Sequence, residues 1–363
     1  MAYHITKKRM RRGLQLFTLL SLSSLVAIFA VTHSHITVAA IRKINPVWLL
    51  AALPFIVADW LAGGYRIMIF CRVFHAPIRL KTCIKANLAN YFMAAVTPSQ
   101  TGGGPAQIYV LYAGGMPGVE ATSASLMTFF CTTFFLIVAA GITFALRGAV
   151  PLPGTLITRL FDLGLIFFLA VAILMVAAVA FPGLYRRIGE LFFIVLARLR
   201  RKDYFLAGGR VNRTLDYINR VHEQLIHYLQ KQWRIFILGV LVSGFCFFCK
   251  FVIAYFIVRS FGVGAAFVDV ALLQMVIILI NYFFPSPGGS GAAELSAAAL
   301  MTSVVSPAYI PFYVVLWRIL TTYISVGVGG VVLLHELGKR EEVEVEEELI
   351  EEPIEEEAVP VAE

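Results

Sequence analysis

The chain has 363 residues, of which 59% are hydrophobic and only 14% charged. A soluble globular domain has about half apolar and about a quarter charged residues, so this composition excludes an ordinary soluble enzyme or binding domain. The formal net charge of +8 hides an asymmetry: positions 341–363 hold 12 glutamates and no basic residue, and all 30 Lys and Arg lie before them. In so apolar a chain, a basic body points to an anionic membrane surface rather than to nucleic acid.

Residues 1–13 carry Lys7, Lys8, Arg9, Arg11 and Arg12. Such a cluster holds an N-terminus in the cytoplasm. The apolar run 14–32 is too long for the core of a secretory signal and has no clear small-x-small cleavage site, so it reads as a retained first span. A second span covers 47–64 and contains Asp59, with Arg66 seven residues on, close to two helical turns and therefore on the same face. Arg66, Arg72, Arg79, Lys81 and Lys85 then mark a cytoplasmic side.

The segment 84–96 is apolar but short. It breaks at Thr97-Pro98-Ser99-Gln100-Thr101-Gly102-Gly103-Gly104-Pro105 and resumes briefly at 108–112. Neither half crosses a bilayer alone. Irregular backbone cannot face lipid, where its N–H and C=O groups go unpaired. The two halves therefore read as a re-entrant hairpin.

Spans at 121–146 and 158–181 follow, then a basic stretch, 182–233, expected in the cytoplasm. Within it Val211, Leu215, Ile218, His222, Leu225 and Leu229 recur at helical spacing. That pattern predicts an amphipathic helix on the inner leaflet. The next span, 234–258, contains Lys250 and the pair Cys246 and Cys249. With no second pair and no nearby His, these cysteines read as small apolar residues.

Residues 265–284 are apolar and end at Pro285-Ser286-Pro287-Gly288-Gly289-Ser290-Gly291, after which small residues continue over 292–305. Residues 265–284 could also cross fully, so the expected number of transmembrane helices is six to eight. The last span, 309–334, contains Arg318. Gly327, Gly329 and Gly330 on it predict a close helix contact, between halves or between subunits of a homo-oligomer. The acidic segment 339–363 has no core-forming pattern and reads as a disordered cytoplasmic tail.

The two breaks resemble each other. Asn90-Tyr91-Phe92, Pro98-Ser99 and Gly102-Gly103 recur in order as Asn281-Tyr282-Phe283, Pro285-Ser286 and Gly288-Gly289. Counting six full spans from an inside N-terminus opens the first hairpin to the cytoplasm and the second to the outside. Inverted repeats with broken helices point to a binding site near the membrane midplane. The expected fold is all-α and polytopic, with two inverted re-entrant hairpins in a transmembrane domain over 14–338.

The stretches 97–109 and 285–294 resemble the signature segments of the flippase-like transmembrane domain of bacterial lysylphosphatidylglycerol synthases, and the likeness extends over roughly 10–338. PGGSG followed by Glu294 is the more specific motif. At the first break this chain has Gln107, where many relatives carry a Gly-Glu-x-x-Arg pattern. The full-length synthases add a cytosolic domain that transfers lysine from its transfer RNA to phosphatidylglycerol. No segment here matches that domain, so the chain looks like a stand-alone relative of the lipid-translocating half. The resemblance implies a bacterial cytoplasmic membrane, a phospholipid ligand (anionic or aminoacylated phosphatidylglycerol) and a separate lipid-modifying synthase as a partner.

Candidate headgroup-binding residues follow from the breaks. Backbone N–H groups after a Gly-rich turn, together with the positive end of a helix dipole, form a phosphate site. At the first break these are Pro98, Ser99, Thr101, Gly102, Gly103, Gly104 and Gln107. At the second they are Pro285, Ser286, Gly288, Gly289, Ser290, Gly291 and Glu294. Intramembrane charge is costly, at least ~2.5 kcal/mol at a helix centre, so Glu294 and Arg318 are expected to pair or to meet a headgroup. Asp59, Arg66 and Lys250 are secondary candidates. No catalytic acid–base pair, nucleotide motif, cofactor site or metal cluster stands out, and the chain is expected not to be an enzyme. A membrane-embedded lipid transferase and a small-solute or ion-coupled transporter remain as alternatives.

Overall fold

A computed structural model of the chain describes residues 7–31, 44–74, 78–146, 154–180 and 210–351. The described residues are helical, and no β-strand occurs among them; the one β-type contact is an isolated bridge. In chain order the helices are α1 (Lys7–Val31), α2 (Pro46–Val73), α3 (Leu80–Val96), α4 (Gly103–Ala113), α5 (Gly118–Ala145), α6 (Gly154–Ala180), α7 (Arg210–Lys231), α8 (Trp233–Ser260), α9 (Phe267–Phe283), α10 (Ala292–Met301), α11 (Ile310–Arg318) and α12 (Ile324–Glu351). A five-residue π-helical turn, Ile319–Tyr323, joins α11 to α12.

Among the described residues, five stretches are long and apolar enough to cross a membrane: Met10–Ala30, Pro46–Val73, Gly118–Ala145, Trp233–Ser260 and Pro307–Gly338. They match five of the six expected spans. The sixth lies in α6, a 27-residue helix whose apolar stretch is Phe161–Leu174. Leu169, Ile173, Leu174, Leu241 and Val331 point outward from these helices. Apolar surface of that extent is what a bilayer, not water, accommodates.

The two short segments form matching helical pairs. Helices α3 and α9 have 17 residues each, about 25 Å, which is less than the ~30 Å of a hydrocarbon core. Each ends at its Pro-Ser break, and α4 or α10, of 11 and 10 residues, packs back against it. Residues 265–284 therefore end at the break and do not continue as one long helix. Two cores surround the two pairs. One gathers α9, α10 and α11 with α6, α8 and parts of α2 and α5. The other gathers α3 and α4 with α1, α7, α12 and the remaining parts of α2 and α5. Helix α1 touches both α3 and α10, and so ties the two halves together.

Local chemistry sets the ends. Asn45 Oδ1 accepts from Val47 N–H at 3.0 Å and Pro46 opens α2, the expected N-terminal chemistry. Asn45 N–H also donates to Ser260 O at 2.8 Å, fixing the start of α2 to the end of α8.

Two expectations are corrected. The amphipathic segment is helix α7, but Val221, Leu225 and Tyr228 are buried in the second core. Tyr217 Oη donates to Gly118 O at 2.7 Å and Ser123 Oγ donates to Gln224 Oε1 at 2.9 Å, so the face of α7 that carries Val221, Leu225 and Tyr228 is covered by protein. Positions 182–209 lie outside the described residues. The acidic tail does not start as disordered chain: α12 runs to Glu351, since a Glu-rich sequence has good helix propensity. Positions 352–363 lie outside the described residues.

Candidate functional site

The breaks meet. Pro98 and Pro287 form an antiparallel β-bridge, so the two loops touch through their backbones. Proline lacks an N–H, and the left-handed residues beside it turn the chain sharply. At the second break these are Gly288 (φ 57°) and Gly289 (φ 66°). At the first they are Ser99 (φ 50°) and Gln100 (φ 57°), a conformation unusual for residues with a Cβ.

The second glycine of each pair seats on the asparagine of its own repeat. A Cβ on Gly103 would fall 2.8 Å from Asn90 Oδ1, and one on Gly289 would fall 1.4 Å from Asn281 Oδ1. The sequence likeness therefore has a shared structural basis: Asn on the first helix, Gly at the turn, in close contact in both pairs.

Beside the junction is a cavity of about 150 Å³. At ~30 Å³ per water it holds about five waters, or one phosphate-sized group. Asn90, Tyr91 and Gln100 line it from the first pair, and Gln274, Asn281, Tyr282 and Gly288 from the second. Phe247 and Lys250 of α8, Trp317 and Arg318 of α11, Thr321 and Thr322 of the π turn and Ser325 of α12 add to the wall. The π turn starts directly after Arg318; extra backbone width at such a bulge commonly marks a functional position.

Arg318 and Glu294 are both buried. Arg318 Nε lies 2.9 Å from Glu294 Oε1, with side-chain exposures of 1% and 0%. Glu294 is fully engaged: Ser21 Oγ donates to Oε1 at 2.9 Å and Gly291 N–H donates to Oε2 at 2.7 Å. Arg318 is not. Its Nε–H points off the line to the carboxylate, and Nη2 is buried with no hydrogen-bond acceptor. Its guanidinium lies over the Trp317 ring, with 5.3 Å to the centroid. An arginine pinned at one edge with a buried, unsatisfied fork lining a cavity is arranged to receive an anion.

Lys250 is the second cation of the cavity. Its Nζ lies 5.2 Å from the ring centroids of both Tyr91 and Phe247. Tyr91 Oη in turn donates to Asp59 Oδ2 at 2.9 Å, and Asp59 Oδ1 is buried without a partner. Asp59 and Arg66 share α2 but turn to different partners. Arg66 Nη1 donates to Thr132 Oγ1 and Ser243 Oγ, both at 2.8 Å.

Of the residues singled out in the sequence, Gly288, Arg318 and Lys250 line the cavity, and Glu294 stands directly behind Arg318. Ser290 is buried against α1, where Ser21 Oγ lies 3.2 Å away, and Ser286 Oγ donates to Ser290 O at 2.8 Å within the turn. Pro98, Ser99 and Thr101 are exposed, and Thr101 Oγ donates back to Pro98 O at 3.0 Å. Gln107 is buried away from the cavity: its Nε2 donates to Thr128 Oγ1 at 3.1 Å and its Oε1 accepts from Asn90 Nδ2 at 3.2 Å. Gly102 contacts Thr97, Gly104 faces Ser125, and Pro285 and Gly291 complete the second turn without lining the cavity. Gln100, Asn90, Tyr91, Asn281 and Tyr282 were not expected as site residues. The signal for four of them was present, because Asn-Tyr is the repeated dipeptide itself.

The helix lengths, the apolar exterior and the buried polar cavity define a polytopic all-α membrane protein. The chain belongs to the family described as the lysylphosphatidylglycerol synthase TM region, whose model matches residues 15–329. It is similar to a UPF0104 membrane protein of Archaeoglobus fulgidus, with 25% identity over 332 residues, covering 88% of this chain and 96% of that protein.

Proposed function

We propose that this protein is a lipid transporter that carries a phospholipid headgroup through the cavity between its two broken helical pairs. The observation that carries this reading is the wall of that cavity. Arg318, with an unsatisfied buried Nη2, and Lys250 converge on one space beside the junction of the breaks. Phosphate recognition uses such forks and point charges. Membership of a family named for a lipid-modifying enzyme's membrane region supports a lipid ligand.

In this reading the two pairs are re-entrant hairpins of inverted orientation. The equal 17-residue lengths of α3 and α9, the Pro98–Pro287 contact and the matched Gly–Asn seats support it. The cavity lies near the midplane, where broken helices of transporters place their ligands. Both termini face the cytoplasm, the membrane is the cytoplasmic one, and the protein moves lipid without changing it covalently. A separate synthase supplies modified lipid where such lipid is the cargo.

The test is reconstitution into liposomes containing fluorescent phosphatidylglycerol, with dithionite bleaching of the outer leaflet. Bleaching is expected to pass the half-way plateau with the wild-type protein and to stop there with Arg318→Gln. A plateau that holds for anionic, zwitterionic and aminoacylated lipids alike overturns the reading and favours a small-solute transporter.

A further inference from the structure

We infer that the cavity selects a headgroup that is net anionic and has no amine: a phosphodiester such as that of phosphatidylglycerol, in preference to its lysylated or ethanolamine counterparts. The inference rests on the lipid-transport reading and narrows its substrate class. Three observations carry it.

The first is the charge of the wall. Lys250 and Arg318 line the cavity, whereas the carboxylates near them, Asp59 and Glu294, are not part of its wall. A wall that presents cations and no carboxylate suits a monoanionic phosphodiester. A lysylated phosphatidylglycerol has net charge of the opposite sign, and a like charge in a low-dielectric site is repelled.

The second is that no carboxylate is offered to an amine. Among the described residues lining the cavity there is no Asp or Glu. Glu294 is fully buried beside the Arg318 guanidinium and already accepts from Ser21 and Gly291. Asp59 is not part of the lining: Tyr91 Oη holds its Oδ2, and its Oδ1 is buried behind the wall.

The third concerns the rings. Aromatic faces bind ammonium groups, and the cavity has four aromatic residues in its wall. Tyr91 and Phe247 already carry the Lys250 ammonium, and Trp317 carries Arg318. Tyr282 meets the edge of Phe168, with 6.2 Å between centroids. The protein's own cations hold the positions an amine would take. The polar groups left are donors suited to phosphate oxygens and amide acceptors, such as the unpartnered Asn281 Oδ1, suited to glycerol hydroxyls. Arg318 Nη2 is unsatisfied, and Ser325 accepts from Trp60 Nε1 at 2.9 Å, which leaves its hydroxyl proton to donate.

The experiment uses the full chain in two formats. Translocation is measured in liposomes with fluorescent phosphatidylglycerol, phosphatidylethanolamine and lysylphosphatidylglycerol in parallel. Binding is measured by native mass spectrometry of the detergent-solubilised protein with short-chain forms of the same lipids and with inorganic phosphate as competitor. The expected result is at least a tenfold preference for phosphatidylglycerol in both formats. Asn281→Asp, an isosteric change that puts a carboxylate in the wall, should shift that preference toward the amine lipids. Lys250→Gln should weaken phosphatidylglycerol binding and leave the amine lipids where they were. Equal or faster movement of the amine lipids overturns the inference while leaving lipid transport in place. No movement of any lipid overturns the transport reading, and the binding preference then decides the inference alone. Full displacement by equimolar inorganic phosphate would show a free-phosphate site and overturn it.

Discussion

Arg318 Nε lies 2.9 Å from Glu294 Oε1, yet both carboxylate oxygens have hydrogen-bond donors while Arg318 Nε and Nη2 have no acceptor. The inequality separates two roles for one ion pair. Glu294 fastens α10 to α1 and α11, and Arg318 keeps donors free for the cavity. Glu294→Gln leaves an uncompensated buried guanidinium and should cost about 3–5 kcal/mol of stability. The paired change Glu294→Gln with Arg318→Met removes both charges and should recover most of that loss. Thermal unfolding in detergent measures the first effect, and the liposome assay should find the double variant folded but inactive.

The Lys85–Glu336 pair is a useful contrast. It links α3 to α12 but is 26% and 14% exposed. Pairs open to solvent screening contribute little, so at this partly exposed pair Glu336→Gln should change stability by less than about 1 kcal/mol. A loss as large as that of Glu294→Gln would show that this end of α12 is more buried than it looks.

Glycine at the breaks is tested by Gly289→Ala. The new Cβ would overlap Asn281 Oδ1, and the residue would be held at φ 66°. Backbone strain alone at such a position costs about 1–3 kcal/mol. Gly103→Ala meets Asn90 at 2.8 Å and lies in helix α4, so it should be milder. Combining Gly289→Ala with Asn281→Ala relieves the overlap and should return part of the lost melting temperature.

On α12 the glycines are not equivalent. A Cβ on Gly329 would lie 2.1 Å from Leu88 O of α3, while one on Gly327 meets nothing within 4 Å. Gly329→Ala must push α12 off α3 and should lower both melting temperature and transport. Gly327→Ala should be neutral or stabilise by up to about 1 kcal/mol through helix propensity.

Helix α7 should detach when its polar anchor is removed. Tyr217 Oη bonds Gly118 O and lies 2.6 Å from Thr122 Oγ1. Tyr217→Phe should cost about 1 kcal/mol and raise the rate of limited proteolysis within α7. Unchanged proteolysis would show that the buried Val221, Leu225 and Tyr228 hold the helix unaided.

The sequence by itself determined that this chain lives in a membrane, where most helices run and where two of them break. These properties are local. Apolar length fixes a span, Pro and Gly fix a break, and a repeated Asn-Tyr with Pro-Ser and Gly-Gly marks two related segments. It also offered the Glu294–Arg318 pairing, beside a headgroup contact, since two opposite intramembrane charges need a reason to be there. Only the tertiary structure decided which side chains share the cavity. Gln107 read as a ligand because it follows a Gly-rich turn, but packing against α5 directs it to Thr128. Lys250 read only as a secondary candidate, and the Tyr91 and Phe247 rings hold it at the cavity wall. The amphipathic face of α7 looked ready for lipid, but α2 and α5 were there to cover it. A face or a charge in sequence specifies that burial or pairing must occur, and the three-dimensional packing of distant segments chooses the partner.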